Sequence, residues 1–116
     1  MELSETVKKQ LHNEFFGTRP LLSEVISRIL RLVRLERKLQ QSFVANTLHL
    51  SRGRCWYLDN GVVPYNMTQF VKMCKVYDLR SGEVLEYASD FVEECKRLYE
   101  SPNCLLAPDI VHQVAV

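Results

Sequence analysis

Apolar residues recur along this chain at steps of three and four, the spacing of amphipathic helices. Leu3, Val7, Leu11 and Phe15 make the first such stripe, with Glu5, Lys8, Lys9 and Glu14 off it, and predict a helix over residues 3–16. Gly17 is placed to end that helix and Pro20 to open the next at its first turn. Residues 20–37 then bury Leu22, Val25, Ile26, Ile29, Leu32 and Val33, with Leu35 at the margin of that side, while Arg28, Arg31, Arg34 and Lys38 recur on another side. Further on, Pro64 excludes a helix interior from the loop 62–66, and Asn66 is a suitable cap for a helix over 67–77. Met67, Phe70, Val71, Cys74 and Tyr77 are expected to face inward there, with Asp78 at its end.

The last helix is expected to begin near Ser81, and Asp90 with Glu93 offers a second start that would break it at Ser89 and Asp90. Its apolar positions Val84, Ala88, Phe91, Cys95 and Leu98 alternate steps of four and three, which is an a/d seam. Such a seam serves packing within the domain or a homodimer interface, and the residues leave both open. Ser101, Pro102, Asn103 and Cys104 end the helix, and residues 105–116 form an apolar tail.

The chain is organised around residues 41–59. Val44, Ala45 and Leu48 make one short apolar stripe, and Leu50, Cys55 and Leu58 make another. His49-Leu50-Ser51 between them has room only for a turn; Ser51 suits a helix start, and Asn60-Gly61 suits a helix end. Two short helices joined in this way form a helix-turn-helix unit. Its second helix, at about residues 52–59, directs Arg52, Arg54, Trp56 and Tyr57 outward, with two places open to Trp56: on sugar and phosphate, or packed inward against Pro64 and Tyr65. A short helix with arginines in its first turn and its other face packed suits the major groove of DNA.

Length and charge sharpen this. A chain of 116 residues supports one core. No apolar run is long enough to span a membrane, and the N-terminus MELSETVKKQ does not resemble a secretory signal, so a cytoplasmic protein is expected. The net charge of +1 hides an uneven distribution. Residues 21–57 carry Arg28, Arg31, Arg34, Arg37, Lys38, Arg52 and Arg54 against Glu24 and Glu36, a balance of +5, whereas residues 58–116 balance at −4. A basic segment that coincides with the outward helix is the expected footprint of phosphate contacts.

Residues 26–85 resemble the Cro and lambda-repressor type of helix-turn-helix protein, the XRE family. The likeness rests on Leu39-Gln40-Gln41, Val44-Ala45, Leu48, Leu50-Ser51-Arg52, Leu58, Gly61, Lys72-Met73-Cys74-Lys75 and Leu79, in register without a gap. It implies an all-α fold: a five-helix lambda-repressor-like bundle, here with an extra N-terminal helix (residues 1–19), a DNA-binding domain (20–88), and an extended C-terminal helix and tail (89–116). It also implies that Gln41 contacts phosphate or supports the reading helix, and that Ser51, Arg52, Gly53, Arg54, Trp56 and Tyr57 line the groove-facing side. Three positions depart from the family pattern: His49 where glycine is usual in the turn, Gln40 where serine usually caps, and Cys55 where an aliphatic is usual.

Donor geometry singles out Arg52 and Arg54 for base readout, because a guanidinium makes parallel bonds to guanine O6 and N7 that an ammonium cannot copy. Gly53 costs about 1 kcal/mol against alanine inside a helix, which favours a contact reason for it. Arg28, Arg31, Arg34 and Lys38 are candidate phosphate contacts, and the acids of the C-terminal helix are the other partners open to the three arginines. Cys55, Cys74 and Cys95 fall on buried stripes, Cys104 lies in the tail, and His12, His49 and His112 are scattered, so neither a metal, a cofactor nor an enzymatic activity is expected. The expected function is a sequence-specific transcription regulator that binds a palindromic site on double-stranded DNA as a homodimer. Its rivals are an antitoxin that represses its own operon and meets a toxin through Val62, Val63 and the tail, and a protein-interaction module that has lost DNA binding.

Overall fold

The computed structural model describes residues 2–100, which form an all-α bundle; among the described residues there is no strand. The helices are α1 (Glu5–Phe15), α2 (Leu22–Glu36), α3 (Gln41–Leu48), α4 (Arg52–Asp59), α5 (Met67–Val76) and α6 (Ser81–Glu100). α2 is the central post, packed by α1, α4 and α6, while α3 lies against α4 and α5, and α5 meets α6. One apolar cluster runs from Val7 and Leu11 of α1 through Ile29, Leu30 and Val33 of α2 to Phe91 and Cys95 of α6. The N- and C-terminal helices therefore share the core of residues 20–88.

Helix ends follow local chemistry. Ser4, Ser51 and Asn66 each accept a hydrogen bond from the backbone N–H three residues on, as capping side chains do. α2, α3, α4 and α5 all stop by one device, a left-handed residue followed by an N–H that reaches back five residues. The left-handed residues are Lys38, His49, Gly61 and Asp78. The closing bonds run from Leu39 to the Arg34 carbonyl (3.0 Å), Leu50 to Ala45 (2.9 Å), Val62 to Tyr57 (2.9 Å) and Leu79 to Cys74 (2.7 Å). Only Gly61 adopts this conformation without a steric cost.

Several expectations are corrected. α2 starts at Leu22, not Pro20, because Glu24 reaches back to the Leu21 N–H at 2.9 Å and sets the first turn there, with Pro20 buried ahead of it. α5 buries Phe70, Met73, Cys74 and the following Tyr77, whereas Met67 and Val71 face solvent. α6 is continuous through Ser89 and Asp90, so the second start is not used.

The a/d row of α6 is also not a surface seam. Val84, Ala88, Phe91 and Cys95 are buried in the protomer's own core, and only Leu98 is partly exposed. Its partners are in the same chain: α2 packs along α6 and α5 meets it, and from α1 His12 and Phe15 pack edge-on against Phe91 with ring centres at 4.9 and 6.1 Å. An a/d row fits one neighbouring helix as well as another, and here the neighbours are in the same chain. The proposed break after Glu100, Cys104 and the tail lie outside the described residues.

The core carries ionisable hydroxyls and thiols. Burial pushes the Cys74 thiol from 9.0 up to about 11 and the Tyr77 hydroxyl from 10.0 up to about 12. Both groups ionise more easily in the unfolded chain, so each contributes stability that is full below the unfolded value and is lost as pH rises toward the folded one. Urea unfolding is therefore expected to show a midpoint that declines steadily from pH 9 to about 11, and Tyr77→Phe should flatten the upper part of that decline.

Candidate nucleic-acid interface

The centre of the chain folds as the helix-turn-helix spacing predicts. α3 ends at His49, whose backbone adopts φ 55° and ψ 47°. Leu50 closes the turn, and the Ser51 hydroxyl accepts from the Arg54 N–H at 3.3 Å to start α4. Histidine is among the residues that tolerate the left-handed region, so the turn keeps its shape without the usual glycine.

On α4, Cys55, Leu58 and Asp59 are buried, and Arg52, Gly53, Arg54, Trp56 and Tyr57 are exposed. At about 100° per residue, Gly53 and Tyr57 are the positions opposite the buried row. Arg52 and Trp56 flank them on one side, Arg54 on the other. A concave groove between the two helices is lined by Gln40, Gln41, Ser42 and Ala45 of the α3 side and by Arg52, Gly53, Cys55 and Trp56 of α4. The structure thus brings Gln41, Arg52, Gly53 and Trp56 together and sets Arg54 on the opposite flank. Trp56 and Tyr57 meet edge-to-face at 5.6 Å and are about half exposed (48% and 47%). A Cβ built on Gly53 would meet nothing within 4 Å, so the protein's own packing does not require glycine there.

Asp59 was not anticipated as important. It is 3% exposed, and Arg34 of α2, 7% exposed, grips it with both prongs: Nε donates to Oδ1 at 3.0 Å and Nη2 to Oδ2 at 2.8 Å. The third nitrogen, Nη1, donates to the Leu39 carbonyl at 2.7 Å, and Gln41 Nε2 donates to Asp59 Oδ2 at 3.0 Å. One guanidinium therefore ties the end of α2, the entrance to α3 and the end of α4 together. The Cys55 thiol donates to the Gln41 carbonyl at 3.4 Å, and burial together with nearby Asp59 pushes its pKa up. Spacing carried the signal: Arg34 is four residues past Leu30 and Asp59 four past Cys55, so both sit on buried rows.

This corrects the arginine row of α2. Arg34 is buried and cannot reach phosphate. Arg31 donates to Asn60 Oδ1 at 3.0 Å, and Arg28 pairs with Glu14 of α1 at 3.4 Å, so both are engaged inside the fold, although neither is fully buried. Lys38 is exposed. A second signal was hidden by dividing the charges at Leu58: between Arg37 and Tyr77, Asp59 is the one carboxylate, and it is buried. The exposed surface of α3, α4 and α5 therefore carries Arg52, Arg54, Lys72 and Lys75 with no anion of its own.

Compared with family models, curated proteins and solved structures, the chain matches none.

Among the described residues no group of three or more His, Cys, Asp and Glu side chains could hold a metal ion, and no helix is long and apolar enough to cross a membrane.

Removing one member of the buried pair leaves the other charged and unpaired. Arg34→Met is expected to cost about 3–5 kcal/mol in urea unfolding, while Arg34→Met with Asp59→Leu costs clearly less than that single change. At the turn, His49→Gly relieves a left-handed side chain and is expected to raise stability by roughly 1 kcal/mol in the same assay.

Proposed function

We propose that this chain is a sequence-specific DNA-binding transcription regulator that reads a two-fold symmetric site as a homodimer through α4. The observation that carries the reading is the exposed side of α4 itself. A two-turn helix is fixed to the bundle by Cys55, Leu58 and Asp59 and offers two arginines, an open glycine and two aromatic rings to solvent. The anion-free surface around it supplies the field that draws a phosphate backbone. The likeness of residues 26–85 to the XRE type supports the same reading.

In this mechanism α4 enters the major groove. Tyr57 and Gly53 face the bases, Gly53 allowing the helix backbone to approach a base edge closely. Arg52 and Arg54, on opposite flanks, reach different base pairs or the two bordering phosphate rows. Gln41 keeps its amide beside the groove because Asp59 accepts one of its N–H bonds, which leaves the other N–H for phosphate. A dimer places two α4 helices about 34 Å apart on successive major grooves. Its contact surface is not the buried row of α6.

A second reading, an interaction module that retains the fold without binding DNA, is favoured by the exposed Trp56–Tyr57 pair, since aromatic residues concentrate at protein interfaces. Selection of bound fragments from sheared genomic DNA separates the two. Wild type is expected to recover a palindromic site, and Arg52→Ala with Arg54→Ala to lose it while unfolding at the same urea concentration. Recovery of no fragment by folded wild type would support the interaction module. Gly53→Ala, which meets no atom of the protein, is expected to keep the fold or strengthen it and to weaken binding to the selected site about tenfold.

A further inference from the structure

α1 and α6 run side by side in the same direction. The Lys8 ammonium lies 5.4 Å from the Tyr87 ring centre, His12 meets Phe91 at 4.9 Å, and the Arg19 guanidinium lies 5.7 Å from the Tyr99 ring centre. α2 turns back a few residues after α1, so the end of α1, the start of α2 and the last described turn of α6 gather at one end of the bundle. That end is apolar and open. Phe16, Leu21, Leu22, Leu98 and Tyr99 are 51%, 66%, 38%, 39% and 49% exposed there, high for large apolar side chains in a small bundle. Leu98 continues the buried row of Phe91 and Cys95 by one step, so the patch is the point at which the core runs out into solvent. Its geometry is held: Arg19 pairs with Glu100 at 3.6 Å while lying over Tyr99, and Glu24 accepts from the Leu21 N–H at 2.9 Å.

The sequence beyond this point says what covers the patch. The described part of α6 reaches Glu100 at the patch itself, and residues 101–116 continue from there. They include Leu105, Leu106, Ile110, Val111, Val114 and Val116, and apart from His112 their one ionisable acid or base is Asp109. Segments that do without cover are poor in aliphatics and strongly charged, and this one is the reverse. Arg19, Glu24 and Glu100 rim the patch with both signs, which suits a nearly uncharged occupant over one of either sign. The five residues from Glu100 to Leu105 span at most about 17 Å, enough to carry the aliphatics across the patch. The exposed aliphatic face of α5 is less well placed: Val71 shares a concavity with Ser81 and Glu86 in the first turns of α6, about 20 Å back along that helix from Glu100. A segment tethered beside its site acts at an effective concentration on the order of millimolar, above that of a second copy in dilute solution. We propose that residues 105–116 dock on the patch of Phe16, Leu21, Leu22, Leu98 and Tyr99 in their own chain and close the open end of the core. The proposal does not depend on α4 reading DNA.

The test uses the full chain, isotopically labelled for amide NMR, with a nitroxide on the thiol introduced by Ala115→Cys in a Cys104→Ser background. Cys55, Cys74 and Cys95 are buried and do not compete for the label. Relative to its reduced form, the nitroxide is expected to bleach the amide signals of Phe16, Leu21 and Leu22 and to leave those of Val62, Val63 and Val71 at full intensity. Leu21→Asp with Leu98→Asp should restore the bleached signals of Phe16 and Leu22. Ile110→Asp with Val111→Asp should restore them too, and these two positions lie outside the bundle, so the variant keeps the fold. Met67→Asp, on the other aliphatic face, should leave the bleaching as it is. Full intensity at Phe16, Leu21 and Leu22 in the labelled chain, or bleaching confined to the α5 face, would overturn the proposal. Bleaching that survives both double variants reflects the length of the tether alone and overturns it as well. So does bleaching of an isotopically labelled chain without nitroxide by an equal amount of unlabelled chain that carries it, which assigns the segment to a second copy. No DNA is present in any of these samples, so failure of the DNA reading leaves the result intact.

Discussion

The structure depends on one buried ion pair. Arg34 and Asp59 lie at the ends of different helices, 25 residues apart in sequence, and each is almost fully removed from water. Taking two charges out of water is expensive, and the pair is tolerable because its hydrogen-bonding capacity is nearly used up: both carboxylate oxygens accept from the guanidinium, and the remaining prong goes to a carbonyl. A hydrophobic contact at this point would hold α4 against α2 without specifying a hydrogen-bond geometry. A forked guanidinium on a carboxylate fixes distance and orientation together. That is what a short helix of two turns requires if its outer side is to present a defined pattern, since so short a helix has little stability of its own.

The same pair decides the electrostatics of the surface. By accepting Arg34, Asp59 is neutralised internally, and the stretch from Arg37 to Tyr77 is left without an exposed anion. The acids of this nearly neutral chain are gathered elsewhere: on α1, on α2, and along α6, where Glu83, Glu86, Asp90, Glu93 and Glu94 are exposed. Net charge therefore says little about this protein, whereas the division of its surface into a cationic middle and an acidic α6 says a good deal. That division makes one side attractive to polyanions or acidic segments and the other side indifferent to them.

Helix number, helix type and the central turn were readable because each rests on local chemistry. The caps Ser51 and Asn66 and the stop residues Gly61 and Asp78 act within a few residues of themselves. What could not be read was which apolar or charged row met which neighbour. The α6 row Val84–Ala88–Phe91–Cys95 looked like a seam because its spacing is that of a seam; only the packing of α2, α5 and α1 around it shows that its partners are in the same chain. Arg34 was grouped with Arg28 and Arg31 because steps of three put them on nearby sides of one helix. A rotation of a few tens of degrees carries Arg34 into the core and leaves the others at its edge. On α5 the same uncertainty placed Met67 and Val71 inside, where only Phe70, Met73 and Cys74 belong.

The two outward surfaces differ in how far they are released from structural duty. On α4, a side chain at Gly53 would meet no atom of the protein, and Trp56 and Tyr57 keep about half of their surface in solvent. On α5, Met67 and Val71 keep large apolar side chains in water one turn before a fully buried row, and a polar residue at either would lower the risk of aggregation at no cost to the core. Sequence positions that disregard local stability or solubility while their buried neighbours obey both are where a protein's contacts with other molecules are most economically placed. The middle of the chain has two such sets, of different chemistry: guanidinium, glycine and aromatic on one helix, aliphatic with lysine on the next. The fold is small enough to hold them on adjacent elements, with the Arg34–Asp59 pair fixing α4 to the bundle and the Tyr57 carbonyl carrying the loop that joins it to α5.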